Sequence, residues 1–447
     1  DRVEKFHGWA ESHALHFNYM HRLPMNQILN KWWGLNLPTK REDEKFLKLN
    51  ENYLEVMMTE TGEEYVKYLW GVSKRVQTAL SDRDLEVFNR SESNKLLKNN
   101  ASSALLLEPH LFLLDEIVSA RKKTDKKLAD NVFLLKSELS AILGATKPTN
   151  NEIVKMEETL WNEFKVESLC LPLEDDLTSK KDPASFIWLI KPKYDGKVTK
   201  IVVGIAQAGK AAFVQNRKAE ILKLLNNGVC VVLADLRDSG ETQSSQLRLP
   251  ESKAIDVAIE LWQMKESLIS YRVKDLRSIL LQLSKRTDMD ISGGIYLWGE
   301  GFTAANGKAE DVFRFEETSF RQTSPEGKFL VEPMGFIVCL MTALLTEEVK
   351  IKGIIGRGGL ISYESILHDR YHYIAQDIII PGLVRKLDLP LIINGLDKLG
   401  VSLYLEDLRD GKNRVLSKES LENQLPQKVL SRYSSSIVLD VEKVIHQ

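Results

Sequence analysis

The residues best placed to do chemistry lie in a short apolar stretch, Ile295-Tyr-Leu-Trp-Gly-Glu-Gly-Phe-Thr303. Its pattern predicts a buried strand that runs into a tight turn. The motif G-x-S-x-G places a nucleophilic serine on such a turn between a strand and a helix. Here Gly299 and Gly301 remain, but the nucleophile position falls on Gly301 or, with the turn shifted by one residue, on Glu300. Neither residue has a hydroxyl or thiol, so Glu300 is the one reactive side chain in this turn.

Charged residues follow the neighbouring predicted strands. Asp235 and Arg237 come directly after Val229–Ala234, and in open α/β sheets ligands bind at the carboxyl ends of strands. Asp235 and Arg237 are therefore candidates for lining a pocket. An alternative stays open, in which the two side chains pair with each other or cap a helix. Lys210 follows the strand Lys200–Ile205, and we expect it to lie in solvent.

An acid and a base would be needed to activate a nucleophile. Asp397 follows the predicted strand Leu389–Ile393, where an acid is expected, but the only histidine after His372 is His446, beside the chain end. His368 and His372 precede the acid, which is the wrong order for a triad of this kind. No group of histidines, cysteines and carboxylates has metal-ligand spacing, so we predict neither a metal nor another cofactor.

The second part of the chain alternates between apolar runs and amphipathic stretches. This alternation, with apolar runs typical of strands covered on both faces, predicts a doubly wound, mostly parallel α/β sheet. The predicted strands are Ser185–Ile190, Lys200–Ile205, Val229–Ala234, Gly294–Trp298, Ile351–Gly356, Leu389–Ile393 and Ile437–Leu439. The predicted helices are Gln215–Asn226, Ser252–Glu260, Val273–Ser284, Met334–Leu345 and Asp377–Lys386.

Composition restricts the partners. The 61 basic and 63 acidic residues nearly balance, which gives no electrostatic reason to expect nucleic acid. No stretch approaches the length of apolar sequence that spans a bilayer. The cysteines, Cys170, Cys230 and Cys339, are odd in number and lack metal-ligand spacing, so we predict free thiols.

Several blocks resemble large bacterial acetylxylan-esterase-like proteins, which have the α/β-hydrolase fold. The strand and loop Val232-Leu-Ala-Asp-Leu-Arg-Asp-Ser-Gly-Glu-Thr242 is similar to the family's loop ending in Asp-Leu-Arg-Gly-x-Gly. The further blocks, in the family's order, are Gly356-Arg-Gly-Gly-Leu-Ile-Ser-Tyr-Glu-Ser365, Ile380-Pro-Gly-Leu-Val384, Leu387-Asp-Leu-Pro390 and Asn394-Gly-Leu-Asp397. The resemblance covers roughly residues 150–447 and implies an α/β-hydrolase-like domain at 151–447.

Some members of that family contain two hydrolase-like units in tandem. His16-Phe-Asn-Tyr19 resembles the end of a first unit, which would make residues 1–35 the closing segment of an upstream hydrolase domain and His16 its catalytic base. Residues 36–150 would then be a mixed, mostly helical connecting region. In the alternative, His16 is one of several aromatic packing residues near the N-terminus.

The resemblance implies an ester hydrolase acting on acetylated polysaccharide, exported to the periplasm or the extracellular space. Because the serine and the triad histidine are missing, we expect a non-catalytic accessory module of a larger esterase. A first alternative is an active hydrolase with an unusual site at Glu300 and Asp397. A second is a carbohydrate-binding module whose pocket is lined by Trp298, Phe302 and Tyr363, since aromatic faces suit sugar rings.

Overall fold

The computed structural model divides the chain into two compact units, Asp1–Leu105 and Leu106–Gln447. It describes residues 27, 30 and 31, and then 104–446 with gaps at 145, 173–182, 194–195, 244–254, 308–329, 369–372 and 436–439. The prediction for His16, nearly all of the segment 1–35, and the strand predicted at Ile437–Leu439 lie outside this part of the chain. The account below concerns the second unit.

Eight strands form one sheet in the described part of the chain. They are β1 Val154–Trp161, β2 Phe164–Pro172, β3 Pro183–Lys191, β4 Ile201–Ala206, β5 Cys230–Asp235, β6 Ile295–Glu300, β7 Ile351–Arg357 and β8 Ser402–Glu406. Their order across the sheet is β1-β2-β3-β5-β4-β6-β7-β8. The five strands β5, β4, β6, β7 and β8 are parallel, whereas β1, β2 and β3 pair in antiparallel fashion at one edge.

The helices cover both faces of this sheet. They are α1 Ala104–Asp130, α2 Val132–Leu143, α3 Gly209–Asn226, α4 Ile255–Gln263, α5 Leu268–Ser284, α6 Met334–Leu345, α7 Glu364–Leu367, α8 Leu389–Lys398, α9 Lys418–Leu421, α10 Gln427–Leu430 and α11 Val441–His446. Short 3₁₀ turns occur at Gly240–Thr242, Gln376–Ile378 and Leu383–Arg385. None of the described helices is long and apolar enough to cross a membrane.

The central strands are buried on both sides, which explains why their sequences are continuous apolar runs. Alternate residues enter two hydrophobic clusters. Val203 and Leu297 belong to the larger cluster, which contains α2, α5, α6 and α8, whereas Val202 and Trp298 belong to the smaller one beneath α3 and α11. Every residue of α6 is buried, so this helix forms the centre of the larger layer.

The doubly wound, mostly parallel sheet predicted from the sequence is confirmed. With a tight glycine turn after the central strand β6 and a buried helix returning against the sheet, the domain has the α/β-hydrolase fold. The strand predicted at Leu389–Ile393 is wrong, because this segment is the first part of helix α8. The predicted helix Asp377–Lys386 is also wrong, since only two short 3₁₀ turns form there.

Helix α8 begins at a buried carboxylate that joins three segments. The Asp388 side chain accepts hydrogen bonds from the backbone N–H groups of Leu389 at 2.7 Å, Tyr363 at 2.7 Å and Glu364 at 2.9 Å. The guanidinium of Arg121 lies 3.6 Å away. Burial raises the pKa of the Asp388 carboxyl from 3.8 to about 6, although the three amides and Arg121 oppose this shift.

The raised pKa of Asp388 predicts a pH dependence of stability. Because the folded state holds the proton more tightly than the unfolded state, this group's contribution is present below pH 4 and is lost as the pH rises through about 6. The loss amounts to about 3 kcal/mol for a shift of this size. We expect the stability of Asp388→Asn relative to the unmodified protein to rise by a similar amount between pH 4 and pH 7.

Urea denaturation of both proteins at several pH values measures this difference. Other carboxylates titrate in both proteins and cancel in the comparison. A difference in the free energy of unfolding that stays constant from pH 4 to pH 7 would contradict the raised pKa.

Candidate active site

The turn after β6 is built from glycines because other backbone approaches it closely. A Cβ atom on Gly299 would lie 2.6 Å from the backbone N and Cα of Phe336. A Cβ on Gly301 would lie 2.7 Å from the carbonyl oxygen of Glu332. Any larger residue at these positions would force the backbone apart, so both glycines predicted in the turn have a steric role.

The turn does not lead directly into a helix. Helix α6, which occupies the place of the helix after a nucleophile, begins only at Met334. Its second residue, Gly335, would place a Cβ 2.3 Å from the carbonyl oxygen of Ile205 on strand β4. Gly335 therefore has the role of the second glycine of a G-x-S-x-G turn, and the chain between Gly301 and Glu332 is inserted within the turn. We call this arrangement the split elbow.

Glu300 lies at the end of β6, and its side chain is completely buried. The guanidinium of Arg217 binds both carboxylate oxygens, at 2.9 and 2.8 Å, and the indole N–H of Trp298 donates to Oε1 at 2.6 Å. Arg357 lies 3.3 Å from the same oxygen. Burial raises the pKa of the Glu300 carboxyl above its ordinary value, whereas the forked contact with Arg217 opposes this shift.

Arg357 connects Glu300 to two further carboxylates. Its Nε donates to Glu406 at 2.7 Å, and its Nη1 contacts Glu220 at 2.9 Å. Arg357, Glu300 and Glu406 are all nearly inaccessible to solvent. A carboxylate enclosed by two guanidinium groups is a poor nucleophile, because attack requires it to leave these contacts. The proposed catalytic role of Glu300 therefore stays a prediction that this geometry does not favour.

Two backbone amides beside the split elbow are bound by side chains of the chain itself. Glu332 accepts a hydrogen bond from the N–H of Phe302 at 3.0 Å. Gln207 accepts one from Met334, the first residue of α6, at 3.3 Å. Amides at such positions stabilise an oxyanion in active hydrolases. Burial raises the pKa of Glu332, and the amides of Phe302 and Thr303 oppose that shift.

Asp235 is buried at the end of β5, but its partner is not Arg237. It accepts hydrogen bonds from the backbone N–H and the ammonium group of Lys210, both at 2.6 Å, and from the N–H of Glu241 at 2.9 Å. Arg237 instead binds Asp275 at 2.8 Å. The expectation that Lys210 lies in solvent is wrong, since the Lys210 side chain is only 1% exposed.

Asp397 does not follow a strand. It lies in helix α8, where its carboxylate is 3.4 Å from the ammonium group of Lys428. The strand that follows β7 in the sheet, after which a triad acid is expected, is β8. The residue directly after β8 is Asp407. Asp407 adopts a left-handed backbone conformation, with φ of 51°, and its carboxylate binds Arg409. Sequence reasoning missed this position because it missed strand β8.

The histidines whose side chains are described do not complete a triad. His446 contacts Lys200, which precedes β4 and therefore marks the amino ends of the strands, opposite the elbow. His368 is exposed and binds Glu364. His16 and His372 lie outside the described residues. Within the described part of the chain, no group of three or more histidines, cysteines and carboxylates is arranged to hold a metal ion.

The three aromatic residues predicted to line one pocket are not brought together. Trp298 is fully buried in the smaller cluster, and Phe302 packs at its margin with its ring centroid 5.8 Å from that of Phe213. Tyr363 belongs to the larger cluster, where its hydroxyl donates to the carbonyl of Ile378 at 2.6 Å. These positions make Trp298 and Tyr363 core residues.

Comparison with known proteins gives similarity in three-dimensional structure only. No family of known proteins matches the sequence, and no curated protein does so. The structure is similar to a protein assigned as an acetyl xylan esterase from Bacteroides fragilis, with 11% identity, a TM-score of 0.47 and coverage of 70% of this chain and 74% of that one.

Two further solved structures are similar at the same level. Acetyl xylan esterase 1 from Thermoanaerobacterium sp. has 11% identity and a TM-score of 0.38, with 65% of this chain and 83% of that one covered. A glucuronoyl esterase from Solibacter usitatus has 11% identity and a TM-score of 0.36, with coverage of 64% and 76%. The assignment to the α/β-hydrolase fold rests on the sheet and its glycine turn, not on these values.

Proposed function

We propose that this chain is a hydrolase-like module that does not itself catalyse acyl transfer and that serves as an accessory unit of a carbohydrate esterase. The observation that supports this proposal is the split elbow. Its turn has Gly301 where a nucleophile would be, and the chain then departs before helix α6 begins. A nucleophile at this point would also need a base to activate it.

The polar groups beside the elbow support the same proposal. Glu300 is enclosed by Arg217 and Arg357, and the amides of Phe302 and Met334 are bound by Glu332 and Gln207. A substrate carbonyl at the elbow would have to displace these side chains before its oxyanion found a donor. The site is thus stabilised by its own side chains in the absence of a substrate.

The polysaccharide setting is supported by the resemblance of the sequence blocks from Val232 to Asp397 to acetylxylan-esterase-like proteins. In that setting the catalytic serine would lie on an upstream hydrolase domain, with residues 1–35 as its closing segment. A periplasmic or extracellular location would follow. The module described here would position the polysaccharide.

The proposal predicts that the purified chain hydrolyses p-nitrophenyl acetate and acetylated xylan no faster than buffer containing an unrelated protein. Release of p-nitrophenol and of acetate measures this directly. We also expect phenylmethylsulfonyl fluoride to leave no covalent adduct detectable by mass spectrometry, because the described turn offers no activated serine.

The variant Glu300→Gln separates the outcomes. Turnover that is abolished in Glu300→Gln while the fold is retained would establish the alternative, an active hydrolase that uses Glu300. Turnover sensitive to the serine reagent would overturn the proposal by a different route, since it would require a catalytic serine elsewhere in the chain.

A further inference from the structure

A groove of about 580 Å³ lies on the face of the sheet that carries α3, and none of its lining residues belongs to the split elbow. One wall is formed by the antiparallel strands β1, β2 and β3, and the other by the first turns of α3 and the 3₁₀ turn at Gly240–Thr242. The residues that matter below are Glu157, Trp161, Phe186, Trp188, Lys210 and Glu241, all of which line it.

The wall of the groove presents aromatic rings at sheet spacing. Phe186 and Trp188 occupy alternate positions of β3, so their side chains project to the same face. Both side chains are half-buried, as is that of Trp161 at the end of β1. On the neighbouring strands, Ser168 lies opposite Trp188 and Glu157 lies opposite Ser168, which places polar groups beside the rings.

The floor of the groove contains an ion-pair cluster of Lys210, Asp235 and Glu241. The Lys210 ammonium group lies 2.6 Å from Asp235 and 2.9 Å from Glu241, and also 5.0 Å from the centre of the Trp188 ring. A Cβ on Gly240, whose φ is 53°, would lie 2.4 Å from the Asp235 carboxylate oxygens. Glycine at this turn therefore allows the backbone to pack directly against the Asp235 carboxylate of the Lys210–Asp235 ion pair.

The charges of the groove indicate which ligands fit it. An anionic ligand would meet the carboxylates of Glu157 and Glu241 at the rim. A cationic ligand would compete with Lys210, whose ammonium group already lies over the rings of Phe186 and Trp188, at 5.6 and 5.0 Å. A neutral ligand with hydroxyl groups avoids both conflicts, because it can donate to the carboxylates and pack its C–H face on indole.

We propose that this groove binds a neutral saccharide chain, with Trp188 and Trp161 packing against sugar rings and the exposed carboxylates of Glu157 and Glu241 accepting hydrogen bonds from hydroxyl groups. The groove shares no lining residue with the split elbow, so it could bind a ligand whether or not the elbow is catalytic. It rests on the proposed function only for the polysaccharide setting, and the test measures binding without ester turnover, so the two proposals can fail independently.

Isothermal titration calorimetry of the full chain with xylohexaose and cellohexaose tests the proposal. A hexamer of galacturonic acid serves as the anionic comparison ligand, and a chitosan hexamer serves as the cationic one. We expect a neutral oligosaccharide to bind and to change tryptophan fluorescence. Trp188→Ala should weaken that binding by about tenfold or more, the usual effect of removing a central aromatic contact.

Matched variants keep the result interpretable. Phe133→Ala removes an aromatic side chain that is 77% exposed and outside the groove, and we expect it to leave binding unchanged. Trp161→Ala, at the rim, serves if Trp188→Ala fails to fold by circular dichroism. The proposal is overturned if neither neutral hexamer binds, if both tryptophan variants bind as well as the unmodified protein, or if a charged hexamer binds more tightly than the neutral ones.

Discussion

Replacement of Arg357 by methionine is expected to lower the free energy of unfolding by about 3 to 5 kcal/mol. The guanidinium lies between the buried carboxylates of Glu300 and Glu406 and also binds Glu220. Methionine fills a similar volume but leaves those carboxylates without the cation between them. Removal of one member of a buried ion pair costs far more than loss of an exposed one, because the remaining charge stays away from water.

Arg414→Met provides the matched control for this prediction. Arg414 binds Asp410 at 2.8 Å, but its side chain is 37% exposed, so its loss should cost less than about 1 kcal/mol. Chemical denaturation of both variants measures the contrast. Equal losses in the two variants would show that the network around Glu300 is not a buried charge cluster. In Arg357→Met, a second change of Glu406 to glutamine should recover part of the loss.

Gly335→Ala is expected to destabilise the protein by about 3 kcal/mol, the upper range for inserting a methyl group into a packed interior. Alanine within a helix normally stabilises it relative to glycine. At Gly335 we expect alanine to lower the stability instead, because the new Cβ would lie 2.3 Å from the carbonyl oxygen of Ile205 and 3.1 Å from the backbone nitrogen of Glu300. Helix α6 would have to move away from β4 and β6 together.

Gly293→Ala is the control for this second prediction. A Cβ at Gly293 meets no atom within 4 Å, so we expect a change within about 0.5 kcal/mol. Thermal unfolding of the two variants gives the comparison. If Gly335→Ala proves as stable as Gly293→Ala, helix α6 does not approach the sheet as closely as described and Gly335 is not the second glycine of the elbow.

The central strands could be predicted because burial on both faces leaves a continuous apolar run. Strands β4, β5, β6 and β7 were found in this way, each within two residues of its observed bounds. Strand β1 was not, because its residues are mostly exposed and include adjacent glutamates. Its sequence has neither an apolar run nor a clear alternation.

The error at Leu389–Ile393 has a clear physical cause. A short apolar run fits a buried helix as well as a strand. Asp388 before the run and Pro390 at its start are both typical of a helix N-terminus, and the structure confirms that Asp388 caps α8. Because the strand was predicted at Leu389–Ile393, the acid was predicted at Asp397. In the structure the residue directly after the corresponding strand, β8, is Asp407.

Other parts of the site could not be found from local sequence. Glu332 and Gly335 are far along the chain from Gly301, so nothing in their spacing indicates that they meet it. Lys210 follows a buried strand, a position at which many lysines are exposed. Its burial depends on Asp235 and Glu241, which come from another segment of the chain. Contacts that depend on tertiary structure leave little trace in a single sequence.

The two ends of the insertion meet. The carbonyl oxygen of Glu332 lies 2.7 Å from the position of a Cβ on Gly301, and the Glu332 carboxylate accepts a hydrogen bond from the amide of Phe302. A loop whose ends are fixed together can change in length at little entropic cost, because the closure term grows only slowly with length. The sheet and α6 would then tolerate segments of many lengths at this point. A turn of the G-x-S-x-G kind at this point, in contrast, would require a shorter chain between Gly301 and Gly335 as well as a serine in place of Gly301, so no single substitution builds it.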